Sequence, residues 1–324
     1  MRVGIAGLGK HVPDRRMTNE DLTKLVETSD EWIVQRTGIR ERRVCADDEF
    51  CSDISAKAAQ QALDDAGMTA DELDLVICCT VTGDQPFPAT ACEIAHQVGA
   101  TNAGAWDLGA ACSGFVFGAQ AGAAFVGSGQ MKNVMVIGAE RLSAIMDYND
   151  RTTCVLFGDG AGAAIFTSLE RAGGNEFLGG SIGMTADREA IIQPGGGSRI
   201  PATQESVEER QHFLKMEGKK TYKFAVKAFA DVVAKALAPY GYDQLGLVIP
   251  HQVNQRIIEA AAERLGLPMD KFFMNIHKYG NTSAASVPMA MQEAAAEGKF
   301  EKGKIYCMCA FGSGLAFGHF LVRG

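Results

Sequence analysis

Asp107-Leu108-Gly109-Ala110-Ala111-Cys112-Ser113-Gly114-Phe115 runs from an apolar lead-in through a turn of small residues into an Ala/Gly-rich segment that continues to Val126. The pattern reads as strand, tight turn and helix, with Cys112 at or just before the first helical turn. A thiol there faces unpaired backbone N–H groups and the positive end of a helix dipole. Both favour the thiolate, which is the reactive form. Ala110, Ala111, Ser113 and Gly114 are small enough to leave a substrate room. The same letters also fit a buried structural cysteine, which behaves as a small hydrophobe. The rest of the chain separates the two readings.

Upstream of this stretch, residues 52–66 and 90–98 read as helices around a buried strand over 73–80. Downstream, residues 133–139 read as a buried strand, and residues 152–166 as strand, glycine turn and strand. Residues 3–8 read as a strand. Gly4, Gly7 and Gly9 there imitate a dinucleotide loop, but His11-Val12-Pro13-Asp14 stands where the phosphate-binding helix has to begin. Thr18 and Ser29 cap two further helices, the second ending near Thr37-Gly38. Gly158-Asp159-Gly160-Ala161-Gly162 precedes a strand, not a helix, and so reads as a turn. Residues 171–213, with Pro194-Gly195-Gly196-Gly197 and an acidic stretch over 205–209, read as an irregular surface excursion. A helix resumes over 219–238.

The chain repeats itself at low resolution. Leu73-Asp74-Leu75-Val76-Ile77-Cys78-Cys79 returns as Leu245-Gly246-Leu247-Val248-Ile249-Pro250-His251. An alanine-rich helix precedes each run, and a helix ending in Val98-Gly99 or Leu265-Gly266 follows each. Ala110-Ala111-Cys112-Ser113-Gly114 falls where Gly280-Asn281-Thr282-Ser283-Ala284 falls, and both lead through a small-residue helix to a buried strand. Two related α/β halves are expected, residues 1–170 carrying the cysteine and residues 171–324 carrying His251 and Asn281. Packed about a pseudo-twofold axis, matching strand ends converge, which brings Cys112, His251 and Asn281 together. Ligands in α/β sheets bind at such carboxyl ends.

Composition narrows the function. With 324 residues, 47% hydrophobic and 22% charged, the chain can bury a large core. A net charge of −8 argues against nucleic acid as a partner. The nine cysteines are odd in number and include no Cys-x-x-Cys pair, so neither a disulfide framework nor a zinc site is expected. The six histidines show no metal-ligand spacing either. No secretory signal and no apolar run of membrane-spanning length stand out, so a reduced cytoplasmic protein away from the membrane is expected.

His251 ends a strand within Ile249-Pro250-His251-Gln252-Val253-Asn254, where either a catalytic or a structural histidine can stand. Asn281, in Lys278-Tyr279-Gly280-Asn281-Thr282-Ser283-Ala284-Ala285-Ser286, also has the letters of a helix cap. Together with Thr28-Ser29-Asp30-Glu31-Trp32-Ile33, Arg36-Thr37-Gly38-Ile39, Phe157-Gly158-Asp159-Gly160-Ala161-Gly162-Ala163 and Phe311-Gly312-Ser313-Gly314, these motifs make the chain resemble the β-ketoacyl-acyl-carrier-protein synthase III family over nearly its whole length.

The resemblance implies a thiolase-like α/β fold with two pseudo-symmetric halves in a five-layered αβαβα arrangement. It implies that Cys112 is acylated by an acyl-coenzyme A and that His251 and Asn281 hold the malonyl thioester carbonyl. Decarboxylation of malonyl-acyl carrier protein then supplies the carbanion without a proton-abstracting base. The N–H groups of Cys112 and Ser313 form the implied oxyanion hole. Trp32, Arg36, Arg151, Gly218 and Asn254 fall on coenzyme A positions, Lys223 and Arg256 on carrier-protein positions, and Phe87 on a position closing the acyl pocket of a homodimer partner. No cofactor is implied, because the coenzyme A thioester is a substrate. Each outer position also has an ordinary reading as a solvated charge or loop hydrophobe.

Three departures stand out. Lys219 replaces a family asparagine at coenzyme A, Ser313 replaces a glycine and contributes only its N–H, and the 193–213 excursion is unusual. Biosynthetic thiolases share the fold, but their second cysteine stands where this chain has Ala310, so Cys307 and Cys309 read as strand core. A condensing enzyme of secondary metabolism and a non-catalytic scaffold are the remaining alternatives.

Overall fold

The computed structural model describes residues 1–187 and 189–324. Nine strands form the central sheet: β1 (Val3–His11), β2 (Leu75–Cys79), β3 (Gly104–Leu108), β4 (Val134–Glu140), β5 (Gly160–Ser168), β6 (Glu176–Asp187), β7 (Leu245–Pro250), β8 (Ile305–Gly312) and β9 (Gly314–Arg323). Their order is β7-β8-β9-β6-β1-β5-β4-β2-β3. Among the described residues two pairs, Val3↔Phe177 and Gly4↔Glu176, join β1 to β6. The sheet is therefore two half-sheets linked by a narrow antiparallel strip.

The helices that sort the layers are α1 (Asp30–Thr37), α2 (Cys51–Ala66), α3 (Thr90–Val98), α4 (Gly114–Ser128), α5 (Gly218–Leu237), α6 (Gln255–Leu265) and α7 (Ser286–Ala296). Strand alternation does the sorting. Leu75, Ile77 and Cys79 face one way, onto Phe115 and Val116 of α4. Val76 and Cys78 face the other way, onto Ile54 and Ile94 of α2 and α3. That is why the run reads as continuously apolar: both faces are covered. Helices α4 and α7 fill the space between the half-sheets, with Val287 and Met291 meeting Met308, Phe320 and Val322. Helices α5 and α6 cover the far side through Phe229, Val233 and Ile258. The layers run α, β, α, β, α.

The pseudo-symmetry is explicit. Strand β2 corresponds to β7, α3 to α6, α4 to α7, β4 to β8, β5 to β9 and β1 to β6. The 3-10 turns Ala111–Ser113 and Ser283–Ala285 lead into α4 and α7. Ala111 (φ 45°) and Ser283 (φ 48°) both take the left-handed conformation. This register makes Ala284 the counterpart of Cys112, two residues beyond the Thr282 expected from the letters. The halves approach closely here: a Cβ on Gly138 would lie 2.2 Å from the Ala284 carbonyl oxygen.

Three expectations change. Residues 152–156 form turns, with Phe157 only bridged to Asn281, not a strand, because the Asp150 carboxylate accepts from the Thr152 N–H (2.9 Å) and the Thr153 hydroxyl (2.9 Å). Within 171–213 lies the 12-residue strand β6, paired along β9. Its glycines and solvent-facing side lower its apparent strand propensity, and pairing overrides that. Finally, residues 111–128 are long and apolar enough to cross a membrane, yet they form the central helix packed between the half-sheets.

Candidate active site

A cavity of about 400 Å³ opens among the converging strand ends, lined by Cys112, His251, Asn281 and Ser313. The first half delivers Cys112 on the turn ahead of α4. His251 directly follows β7, and its N–H donates to the Cys309 carbonyl (2.8 Å), extending the β7–β8 ladder by one residue. Gln252 locks that loop: its Nε2 donates to the Phe273 carbonyl (3.1 Å) and its Oε1 accepts from the Asn275 N–H (3.0 Å). Asn281 is held from the opposite half, its N–H donating to the Leu156 carbonyl (2.8 Å) and its carbonyl accepting from the Gly158 N–H (3.0 Å). Its Oδ1 accepts from the Ser283 N–H (2.9 Å), which leaves Nδ2 for the cavity. Gly312 allows the C-terminal turn against the cysteine, since a Cβ there would lie 2.9 Å from the Cys112 nitrogen.

Electrostatics divide the site. Burial pushes the Cys112 thiol up to about 12; the Ser283 hydroxyl opposes the rise, Glu140 adds to it, and the cysteine's own backbone N–H opposes it. The resting sulfur is therefore a thiol, contrary to the expectation from helix-terminus effects. One short turn separates it from α4, and desolvation outweighs what the backbone returns. Burial also pulls His251 down to about 3, so its ring is neutral. His251 Nδ1 lies 2.6 Å from the Ser286 hydroxyl. Its Nε2 is buried with no partner among the described residues, and the Phe311 ring meets the imidazole edge-on at 5.8 Å.

Behind the cysteine stands Glu140, fully buried at the end of β4. One carboxylate oxygen accepts from the Ser283 hydroxyl (3.0 Å), the other from Thr82 Oγ1 (2.5 Å) and the Val81 N–H (3.2 Å). Burial raises its pKa to about 7 against these hydrogen bonds. Sequence reading missed Glu140, Ser283 and Ser286. A carboxylate ending the all-apolar run Val134–Ala139 was the available signal for the first; the two serines stand beside Asn281 in a run of small residues that does not mark either one.

The outer positions separate into groups. Arg151 lies over the Trp32 ring at 5.4 Å and Arg36 at 5.9 Å, and Arg151 also donates to the Glu27 carbonyl (2.9 Å). Asn254 caps α6 and donates from Nδ2 to the Arg36 carbonyl (3.0 Å). Arg36, Gly218, Lys219, Lys223 and Arg256 line one basic recess of about 620 Å³. Phe87 is 85% exposed, outside its own chain's cavity. The Ser313 side chain does more than the turn requires: its hydroxyl donates to the Ile191 carbonyl (2.6 Å), tying down one cavity wall. Cys307 and Cys309 are buried in β8 and do not line the cavity.

Comparison with known proteins agrees with this geometry. The family model 3-oxoacyl-[acyl-carrier-protein (ACP)] synthase III matches residues 106–184, and the C-terminal model of the same name matches 237–324. Beta-ketoacyl-[acyl-carrier-protein] synthase III of Desulfitobacterium hafniense (strain DSM 10664 / DCB-2) is 46% identical over 324 residues, 99% of this chain and 97% of that protein. The enzyme of the same name from Chlorobaculum tepidum is 42% identical over 328 residues, covering 100% and 99%. The crystal structure of 3-oxoacyl-[acyl-carrier-protein] synthase III from Aquifex aeolicus VF5 superposes with TM-score 0.90 at 42% identity, over 99% of this chain and 100% of that one. The priming β-ketosynthase of the R1128 polyketide pathway gives TM-score 0.89 at 32% identity, over 99% and 96%. The five layers are the thiolase fold, and the chain belongs to the β-ketoacyl-[acyl-carrier-protein] synthase III family.

Proposed function

We propose that this enzyme carries out the initiating condensation of fatty-acid synthesis, joining a short acyl-coenzyme A to malonyl-acyl carrier protein with release of CO2. The observation that carries the reading is a single cavity lined by a thiol, an imidazole and a free amide N–H from distant strand ends. In the first half-reaction the Cys112 sulfur attacks the thioester carbonyl, coenzyme A departs, and an acyl-enzyme remains. In the second, malonyl thioester loses CO2 while His251 and Asn281 face the oxygen on which charge builds. The carbanion attacks the acyl carbonyl and the Cys112 sulfur leaves. Backbone N–H groups of Cys112 and Ser313 hold the tetrahedral oxyanion, each such donor being worth roughly 3 kcal/mol of barrier.

Coenzyme A takes Trp32, Arg36, Arg151, Gly218 and Asn254 in this reading. Arg151 has to swing off the Trp32 face to admit an adenine between them. The carrier protein, an acidic partner, meets Lys223 and Arg256 in the basic recess of an otherwise acidic molecule. Phe87, exposed on a single chain, closes the partner's acyl pocket in a homodimer. The halves divide at residues 170 and 171, between β5 and β6. Priming of a secondary-metabolism assembly line is the second reading, favoured by the R1128 likeness and by apolar cavity walls from Leu142, Ile145, Leu214 and Met216. A non-decarboxylating thiolase is disfavoured by the buried position of Cys309.

Intact-mass measurement after exposure to a panel of acyl-coenzyme A esters tests both readings. A short acyl adduct on Cys112 that chases into 3-oxoacyl carrier protein supports the first. Acylation only by bulky or aromatic esters supports the second. No adduct and no product with any ester would overturn both.

A further inference from the structure

We propose that Ser286 is a positioning residue that keeps the Nδ1 proton on His251, so that Nε2 alone carries protons in both half-reactions. The proposal rests on the condensing function above. The Ser286 hydroxyl donates to the Ser283 carbonyl (2.8 Å) and lies 2.6 Å from His251 Nδ1. A hydroxyl has one proton to give. With that proton on the carbonyl, the Ser286 oxygen accepts from Nδ1–H. The neutral ring then presents a bare lone pair at Nε2, the atom left buried without a partner.

Among the described residues lining the cavity, Cys112 and His251 are the ones that titrate; no carboxylate, lysine, arginine or tyrosine joins them. Glu140 sits behind the Ser283 hydroxyl at 3.0 Å, and the Phe311 ring covers the imidazole edge. Cys112 rests as a thiol, so acyl transfer needs a proton acceptor, and Nε2 is the unpartnered base in the cavity. The proton balance closes in both steps. In acyl transfer the thiol proton moves to Nε2, the S–acyl bond forms, the bond to coenzyme A breaks, and Nε2 hands the proton to the departing sulfur. In condensation Nε2 takes up one free solvent proton, drawn by the negative malonyl carboxylate once that group is in place, and points it at the thioester oxygen. CO2 leaves, the C–C bond forms, the acyl–sulfur bond breaks, and that same proton passes to Cys112, restoring the thiol. Nδ1–H stays on Ser286 throughout.

Two measurements test this. In protein carrying ¹⁵N-histidine, with His251 assigned by comparison with His251→Ala, the resting ring is expected to be protonated at Nδ1 and bare at Nε2. A ring protonated at Nε2 instead would overturn the proposal. In Ser286→Ala the orphaned N–H favours the other tautomer, which turns Nε2–H into the cavity. Acylation of Cys112, followed by intact mass, is expected to slow roughly tenfold or more with KM for acyl-coenzyme A unchanged. That is less than the ~10²–10⁴-fold lost with a general base itself. Ser286→Thr, which keeps the hydroxyl, is expected to restore most of the rate. An unchanged rate in Ser286→Ala, or no rescue by threonine in a folded variant, would count against it. If the wild type accepts no acyl group at all, the condensing function fails while the tautomer measurement still reads out.

Discussion

His251 carries the clearest pH signature of any residue in the site. Its ring is neutral because burial holds its pKa near 3, against about 6.5 when the chain is unfolded. Between those values the unfolded chain binds the extra proton, so stability rises with pH across the window and falls as acid is added below about 6.5. The slope from this one group approaches ~1.4 kcal/mol per pH unit between the two values. His319, held near 4 by burial, acts in the same direction. Urea unfolding of wild type and His251→Gln at pH 7 and pH 5 isolates the His251 share: the variant should lose less stability on acidification. Ser313 gives a second test. Ser313→Gly removes the bond to the Ile191 carbonyl but leaves the backbone donor. It is expected to cost about 1 kcal/mol, to speed amide exchange around Ile191, and to change Cys112 acylation less than threefold. Cys112, His251, Asn281 and Ser313 were legible as residues because distinct motifs surround them. Glu140, Ser283 and Ser286 were not, because letters do not say which hydroxyl turns toward which ring.

Among the elements, the paired 3-10 turns ahead of α4 and α7 are where conformation and chemistry meet. Ala111 and Ser283 take the same left-handed backbone, which is uphill by roughly 1–2 kcal/mol for a residue with a Cβ. Their side chains differ in what they return. The Ala111 methyl group has no polar atom to return anything, so Ala111→Gly should stabilise the fold by up to about 1 kcal/mol. Ser283 bonds the buried Glu140 carboxylate, so Ser283→Gly should destabilise it by ~1–3 kcal/mol, the cost of orphaning that group. Paired denaturation curves decide; equal shifts would refute the asymmetry. The strands and helices flanking these turns were readable because their apolar runs are long and covered on both faces. Strand β6 was not, since its glycines hide a pairing that only β9 reveals. The Asp150 turn likewise passed for a strand because its Thr-rich letters suit either.

At the scale of the whole molecule, charge is unevenly spread. The chain carries −8 overall, while Arg36, Lys219, Lys220, Lys223 and Arg256 gather around one recess. Reversing Lys223 and Arg256 to glutamate should raise KM for malonyl carrier protein at least tenfold in low salt. The difference should shrink as salt screens the attraction, and acylation of Cys112 by acyl-coenzyme A should stay within about threefold. A KM that ignores salt would refute the docking site. The two-halves architecture was visible in the repeated strand runs, but its register was not: the matched left-handed turns set Ala284, not Thr282, opposite the cysteine.

That register has a consequence for stoichiometry. Equivalent strands meeting antiparallel across a narrow strip reproduce, within one polypeptide, the isologous contact of a twofold dimer. A true dimer of identical half-length subunits would carry two sulfurs on its dyad. Here the second place holds a methyl group, so on the proposed mechanism one acyl equivalent per polypeptide is expected, and the symmetry mate of the cysteine is left to pack the turn.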